Sequence, residues 1–186
     1  MQEVKQYLND ISRLISDLPE GQVQELVDAV AEAYESGRQV FVLGNGGSAA
    51  TASHLACDLQ KGIGGIGPKR FKVMALTDNV AIMTAWANDT DYSEIFARQI
   101  ETWANPGDLV IAISASGNSP NVIKAVETAN SKGALTYGLA GFNGGRLAQT
   151  AKKCVIAPSD NMQLVEDAHT IIAHLVHTCL RKQIGC

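Results

Sequence analysis

One apolar segment that stops at glycines constrains this chain most. Residues 40–43 are β-branched, aromatic or aliphatic, residues 44–47 form a glycine-rich turn, and helix-forming residues follow from Ser48. The first segment favours a strand, and glycines allow a tight turn. A strand, a turn and a helix in this order present backbone N–H groups at the positive end of a helix dipole, where phosphate binds well. The sequence therefore predicts an anion site at this turn.

Strands and helices alternate after this turn. Strands are predicted at 39–43, 71–76, 109–113, 134–139 and 154–157. Helices are predicted at about 48–61, 79–86, 92–104, 119–131, 144–150 and 161–182. Short apolar strands separated by helices indicate a parallel sheet covered on both faces. We expect an α/β fold, a doubly wound and mainly five-stranded parallel sheet in a three-layer, flavodoxin-like or Rossmann-like sandwich, with ligands at the carboxyl ends of the strands.

Two further helices are predicted before the first strand. Apolar residues repeat at helical spacing within 3–18 and 23–34, and Pro19 to Gly21 separates the two segments. These helices either cover one face of the sheet or pack against other copies of the chain. Because the chain shows no repeat and no linker, we expect a single domain over 1–186, with the helical pair in 1–36 used in oligomerisation.

Composition limits the partners and the compartment. The chain has 186 residues, a net charge of −4 and 5% aromatic residues, so it lacks a basic stripe or a stacking platform for nucleic acid. No apolar run approaches the ~20 residues that span a bilayer, and the N-terminus lacks a signal-peptide pattern. The four cysteines form no Cys-x-x-Cys pair, which suits free thiols. We expect a cytoplasmic protein that binds neither nucleic acid nor a membrane.

A second loop has the same design as the first. Segment 114–121 follows the predicted strand 109–113 and opens a helix, with Ser119 at the cap and Pro120 at the first helical position. Its three serine hydroxyls and free N–H groups can hold a terminal phosphate without a cationic side chain. The simpler alternative is an ordinary capped turn. Two such loops in one parallel sheet favour the phosphate site.

A nicotinamide cofactor is disfavoured by the spacing of the acidic residues. Residues 44–49 satisfy the glycine pattern of dinucleotide-binding folds. The nearest acid at the end of the second strand is Asp78, which lies well beyond the ~20 residues expected for a ribose contact. A dehydrogenase is therefore the weakest of the functions considered.

The two loops are similar to those of the sugar isomerase (SIS) domain family, and the phosphoheptose isomerase branch is the nearer match. The resemblance also includes the pair Asn88-Asp89 and the turn 141–145, and it covers nearly the whole chain. It implies an aldose–ketose isomerase, an intramolecular oxidoreductase that converts sedoheptulose 7-phosphate to D-glycero-D-manno-heptose 7-phosphate through an enediolate. It also implies a homotetramer with sites near subunit interfaces.

Two pairs of candidate metal ligands lie on two predicted helices. His54 and Asp58 are four residues apart and share one helix face. Glu166 and His174 are eight apart, roughly 80° around the last helix. Such a set suits zinc, although polar helix faces are often only solvated. The resemblance implies one zinc ion per subunit, because relatives carry His, Glu, Gln and His at these positions.

The resemblance also implies the roles of the remaining site residues. Asp58 and His174 would be the proton-transfer pair. The phosphate would lie on the second loop, and the first turn would contact the sugar chain. The full set of implied substrate-binding residues is Asn45, Gly46, Gly47, Asp58, Asn88, Asp89, Ser114, Ala115, Ser116, Ser119 and Glu166.

Three residues depart from the family pattern. Asp58 replaces a glutamate, which shortens the side chain by ~1 Å, a misplacement that can cost on the order of 10²-fold in rate. Glu166 replaces a glutamine and adds a negative charge, and Ala115 lacks a hydroxyl that many relatives carry. Two alternatives therefore stay open: an isomerase of a different phosphosugar, and a non-catalytic regulatory or scaffold SIS protein of the replication-initiator-associating type.

Three other side chains have predictions of their own. His169 falls on the apolar stripe of the last helix, so we expect a packed, hydrogen-bonded core residue. His177 shares the polar side of His174 and is expected to face solvent. Cys57 points about 100° away from Asp58 on the helix, and we expect it to be buried and inert.

Overall fold

A computed structural model describes residues 2–63, 65 and 69–185 of the chain. The strands are β1 (Val40–Gly44), β2 (Val73–Ala75), β3 (Leu109–Ile113), β4 (Leu135–Ala140) and β5 (Lys153–Ile156). The α-helices of the described residues are α1 (Gln2–Ser16), α2 (Glu20–Glu35), α3 (Gly47–Cys57), α4 (Val80–Asp89), α5 (Ala97–Trp103), α6 (Pro120–Ser131), α7 (Gly145–Thr150) and α8 (Met162–Ile184).

The sheet is five-stranded, in the order β2-β1-β3-β4-β5, and every pair of neighbours is parallel. This confirms the predicted α/β fold. The winding reverses between β1 and β3, because β2 lies on one side of β1 while the later strands lie on the other. In open parallel sheets, ligands bind at the carboxyl ends of the strands at such a switch point.

Helices cover both faces of the sheet. Alternate residues of β1 point to opposite faces, with Val40 and Val42 in one core and Phe41 and Leu43 in the other. The first core packs β1 against α1, α2, α3 and α8, and the second packs it against α4, α5, α6 and α7. The three-layer sandwich expected from the alternating pattern is therefore present, and α3 and α8 share one face.

Several element boundaries differ from the predicted ones. The helix predicted at 48–61 ends at Cys57 and continues as a π-helical turn, Asp58–Ile63. The strand predicted at 71–76 is only β2, which pairs with β1 alone at the edge of the sheet. The helix predicted at 92–104 is split into a 3₁₀ turn, Tyr92–Glu94, and α5. Each difference depends on tertiary packing that periodicity does not record.

Two of the three single-residue predictions are wrong. Cys57 is exposed rather than buried, because α3 turns Leu55 and Ala56 to the core instead. His177 does not simply face solvent: its Nε2 is buried, and a Cβ built on Gly62 would lie 2.6 Å from it. The prediction for His169 is confirmed, since it is buried in the core and hydrogen-bonded to Ala140 O. No described helix combines the length and the apolar character needed to cross a bilayer.

Candidate functional site

The two loops predicted to bind an anion lie side by side at the switch point of the sheet. Gly44, the last residue of β1, is in register with Ile113, the last residue of β3. The Asn45 amide Nδ2 donates to Asn121 Oδ1 at 2.9 Å, and Asn121 Nδ2 donates to Asn45 Oδ1 at 2.8 Å. Reciprocal amide hydrogen bonds therefore connect the turn after β1 to the start of α6.

Hydroxyl groups of the second loop cluster at the start of α6. Ser114 Oγ lies 3.1 Å from Ser119 Oγ, and Ser114 is buried. Ser119 occupies the cap position of α6, but its hydroxyl makes no capping hydrogen bond. Ser116 Oγ accepts from the backbone N–H of Asn118 at 3.3 Å. The arrangement leaves the positive end of the α6 dipole beside serine hydroxyls, which suits a phosphate group.

The backbone of this second loop is fixed by the turn after β4. Gly117 has a φ of +67°, and a Cβ there would lie 2.1 Å from Gly144 O. Gly117 O also accepts a hydrogen bond from the Leu147 N–H at 2.8 Å. A side chain at Gly117 would separate the two segments. Ala115 is buried, its carbonyl accepts from the Gly141 N–H, and its side chain belongs to the core that contains α3 and α8.

Glu166 lies at the first turn rather than with the histidines. α8 brings its carboxylate against Gly47, where an added Cβ would be 2.7 Å from Oε2. Gly47 is the first residue of α3, and Gly46 before it has a φ of +54°. A carboxylate at the start of a helix interacts favourably with the helix dipole. The structure thus places Glu166 beside the turn predicted to contact the sugar.

The other three candidate metal ligands come together. One ligand atom from each of His54, Asp58 and His174 lies within 4.8 Å of the other two. His54 Nε2 is 3.5 Å from Asp58 Oδ2, and the two imidazole rings lie 4.9 Å apart, edge to face. α3 and α8 are also connected by the Thr51 and Thr170 hydroxyls, which are 3.3 Å apart. Two imidazoles and one carboxylate at these distances can hold a divalent cation and leave a position open.

Asn88 and Asp89 lie on a different helix from the members of this group. They are the last two residues of α4, and both are exposed. The Asn88 amide donates to Asp89 Oδ1 at 2.8 Å, which holds the two polar side chains together at the surface.

A separate cleft of about 950 Å³ lies along β2, where Cys57, Met74 and Trp86 are among its lining residues. That cleft contains none of the predicted site residues.

Asn121 and Tyr92 have no role that the sequence pattern predicts. Asn121 is buried in the first turn of α6, and the Tyr92 hydroxyl donates to Asn45 Oδ1 at 3.3 Å. The sequence offered one signal, an amide directly after Ser119-Pro120 in the phosphate loop. Its partner could not be inferred, because the contact joins residues 76 positions apart.

Comparisons with known proteins agree with this architecture. The SIS domain family model matches residues 6–141. The phosphoheptose isomerase of Geotalea daltonii is 34% identical over 189 aligned residues, which cover 99% of this chain and 97% of that protein. The structure of a phosphoheptose isomerase from Francisella tularensis has a TM-score of 0.89 and 26% identity, covering 97% of both chains. The one from Neisseria gonorrhoeae shares the fold with a TM-score of 0.90 at 24% identity, covering 97% of this chain and 98% of that one.

Proposed function

The chain belongs to the phosphoheptose isomerase family of SIS-domain enzymes, and from that premise we propose that it converts sedoheptulose 7-phosphate to D-glycero-D-manno-heptose 7-phosphate. Membership makes the chain a phosphosugar isomerase. The observation that carries the proposal is the group of His54 on α3, Asp58 on the π-helical turn that follows α3, and His174 on α8. A carboxylate and two imidazoles, in a fold that also has a phosphate-binding loop, suit proton transfer in a phosphorylated sugar.

The two loops would hold the two parts of the substrate. The phosphate would bind to the hydroxyls of Ser114, Ser116 and Ser119 at the start of α6, next to the buried Ala115. The turn Asn45–Gly47 would contact the carbon chain, and the Glu166 carboxylate beside Gly47 would accept hydrogen bonds from sugar hydroxyls. Asn88 and Asp89 supply amide and carboxylate groups for further hydroxyls.

The reaction moves one proton between carbons and one between oxygens. A base removes a proton from C1 of the ketose, and the resulting enediolate takes a proton at C2. The C2 carbonyl oxygen gains a proton while the C1 hydroxyl loses one, so atoms and charge balance. Asp58 would transfer the proton between the carbons, and His174 would transfer the proton between the oxygens. Both side chains belong to one cluster, so both can reach the same part of the substrate.

A zinc ion fits the residues present. The ligand atoms of His54, Asp58 and His174 lie within 4.8 Å of one another, and three such ligands with an open fourth position are typical of catalytic zinc sites. The shorter Asp58 side chain still reaches this group, since its Oδ2 is 3.5 Å from His54 Nε2. The fourth residue of the original set, Glu166, lies at Gly47 and is not part of this group, so the open position would be left to substrate or water. When bound, a zinc ion supplies Lewis-acid polarisation of the substrate carbonyl.

We also propose a homotetramer assembled through residues 1–36. Val4 is 65% exposed and Leu8 is 60% exposed, and with Ile11 and Ile15 they follow the 4-3-4 spacing of a helix-packing seam. The adjacent side of α1 is attached to α8, because the Tyr7 hydroxyl donates to Asp167 Oδ2 at 2.7 Å, and Ile11 at the edge of the seam already packs against the hydrophobic core. A second copy would cover the seam. The His54 side chain is 51% exposed in a single chain, so a neighbouring subunit could also enclose the site.

The single-domain organisation and the compartment belong to the same proposal. Residues 1–186 would form one SIS domain, because α1, α2 and α8 share one hydrophobic core with the sheet. The free cysteines Cys57, Cys154 and Cys179 suit a reducing cytoplasm.

Product detection after incubation with sedoheptulose 7-phosphate and a panel of ketose and aldose phosphates tests the proposed function. The parent protein should convert the heptulose fastest, and Asp58→Asn should lower turnover at least about a hundredfold without changing the melting temperature. Glu101→Gln, a change at an exposed carboxylate on α5 outside the loops and the helical pair, is the matched control. Absence of any isomerised product from the parent, or full activity of Asp58→Asn, would contradict the proposal.

One observation favours a second candidate, an isomerase of a different phosphosugar. The Glu166 carboxylate at Gly47 is an acceptor only, where the family's glutamine amide could also donate. A sugar that presents a different hydroxyl pattern there would bind better. The same panel decides, because faster turnover of another phosphosugar would replace the heptulose as substrate. If the protein binds sugar phosphates of the panel but turns over none of them, the non-catalytic alternative is indicated.

A further inference from the structure

A pair of amide side chains connects the two loops at the carboxyl ends of β1 and β3. Asn121 is only 2% exposed and lies in the first turn of α6, on one face of the sheet. Asn45 follows β1 and precedes α3, which packs on the other face. Their two hydrogen bonds, at 2.8 and 2.9 Å, therefore join segments that the sheet otherwise separates.

The amide of Asn121 makes three hydrogen bonds in this position, two at Oδ1 and one at Nδ2. Its Oδ1 accepts from Asn45 Nδ2 and from the Val122 N–H, which is 3.0 Å away. Its Nδ2 donates to Asn45 Oδ1, which also accepts from the Tyr92 hydroxyl. A carboxylate of the same shape lacks the donor, and a leucine lacks both donor and acceptor. Only an amide supplies both hydrogen bonds to Asn45 at this length of side chain.

We infer that Asn121 is a positioning residue that sets the distance between the phosphate loop 114–119 and the sugar turn 45–47. This inference rests on the proposed function. A phosphosugar touches both loops, so the spacing between them fixes where its reacting carbons lie. The turn is also followed directly by α3, which contains His54, and by the π-helical turn that begins at Asp58. A displacement of about 1 Å between loops can cost on the order of 10²-fold in rate.

Loss of a positioning residue should affect turnover of the sugar phosphate but not binding of inorganic phosphate. Loss of a residue that only stabilises the fold should not distinguish these two ligands. Inorganic phosphate contacts the phosphate loop alone, so its binding does not depend on the spacing between loops. A sugar phosphate contacts both loops, so its turnover does depend on that spacing. A purely structural role would lower stability without separating these two ligands.

Asn121→Leu tests this role, with Asn130→Leu as its matched control. Asn130 lies at the other end of α6, where its amide donates to Thr150 O at 2.7 Å and accepts from the Thr136 hydroxyl at 2.8 Å. Asn121→Leu should lower kcat/KM for the sugar phosphate by about 10- to 100-fold. The inhibition constant of inorganic phosphate should change less than about twofold. Asn130→Leu should lower the melting temperature but keep kcat/KM within about threefold of the parent.

A double-mutant cycle keeps the test decisive if the leucine variant does not fold. Asn121→Ala removes the same hydrogen bonds without adding a branched side chain. Because Asn45→Ala already breaks the pair, Asn121→Ala added to it should lower kcat/KM by less than about threefold further. Additive losses in the cycle, a parallel loss of phosphate inhibition, or equal kcat/KM for the Asn121 and Asn130 variants would overturn the inference.

Failure of the proposed function gives a different result. If the parent turns over no sugar phosphate, the same variants are compared by calorimetry with sedoheptulose 7-phosphate and with inorganic phosphate. Selective loss of affinity for the sugar phosphate in the Asn121 variants would support the positioning role without catalysis. Equal affinities in parent and variants would overturn the positioning role as well.

Discussion

The stability of this protein should fall between pH 7 and pH 5 because of His169. This histidine is 1% exposed, and its Nε2–H donates to the carbonyl of Ala140, 3.1 Å away at the end of β4. Its Nδ1 is buried and has no hydrogen-bond partner among the residues that the structure describes. A proton on Nδ1 would therefore have no acceptor. Burial lowers the pKa of His169 from 6.5 to about 4.

The sign and size of the effect follow from this difference in pKa. Between pH 6.5 and about 4, the unfolded chain binds a proton at His169 that the folded protein does not bind. The contribution is therefore fully present above pH 6.5 and is lost as the pH falls towards 4. At ~1.4 kcal/mol per pH unit, the total is about 3 kcal/mol, of which about 2 kcal/mol is lost between pH 7 and pH 5.

Urea unfolding of the parent and of His169→Gln at pH 7 and pH 5 measures this loss. The glutamine amide can donate to Ala140 O but does not titrate, so it serves as the matched reference. The free energy of unfolding of the parent should fall by about 2 kcal/mol more than that of the variant, at equal protein concentration. Equal losses in the two proteins would refute the reasoning, because other titrating groups are common to both.

Three further predictions concern the site and the assembly. The purified parent should contain about one zinc or similar ion per chain, and His54→Ala should lose it; a metal-free parent that does not respond to added zinc would contradict the metal proposal. The solution mass should be that of a tetramer, and Leu8→Glu should yield smaller species because it places a charge in the α1 seam; a monomeric parent would rule out this assembly. Asp58→Glu should lower kcat about tenfold or more rather than raise it, since the ligand group is already within 4.8 Å; increased activity would show that the aspartate is too short.

The fold and the adjacency of the loops could be predicted because they depend on short-range patterns. Apolar strands between helices predicted the parallel sheet, and the ends of β1 and β3 meet in it as expected. The position of Glu166 could not be predicted, because its place at Gly47 depends on how α8 crosses α3. Helical spacing grouped it with His174 but does not determine which turn of the neighbouring helix each side chain meets. The pairing of Asn45 with Asn121 was inaccessible for the same reason.

The segment that carries Asp58 is positioned by α8 as much as by α3. The α-helix ends at Cys57, and Asp58 begins a π-helical turn that ends at Ile63. The His177 ring of α8 packs against Gly62 of this turn so closely that a Cβ there would lie 2.6 Å from Nε2. One turn earlier, α8 carries His174 into the ligand group. The separation of Asp58 from His174 is therefore set by backbone packing between the turn and α8, and side-chain length alone does not determine whether the carboxylate reaches its partners.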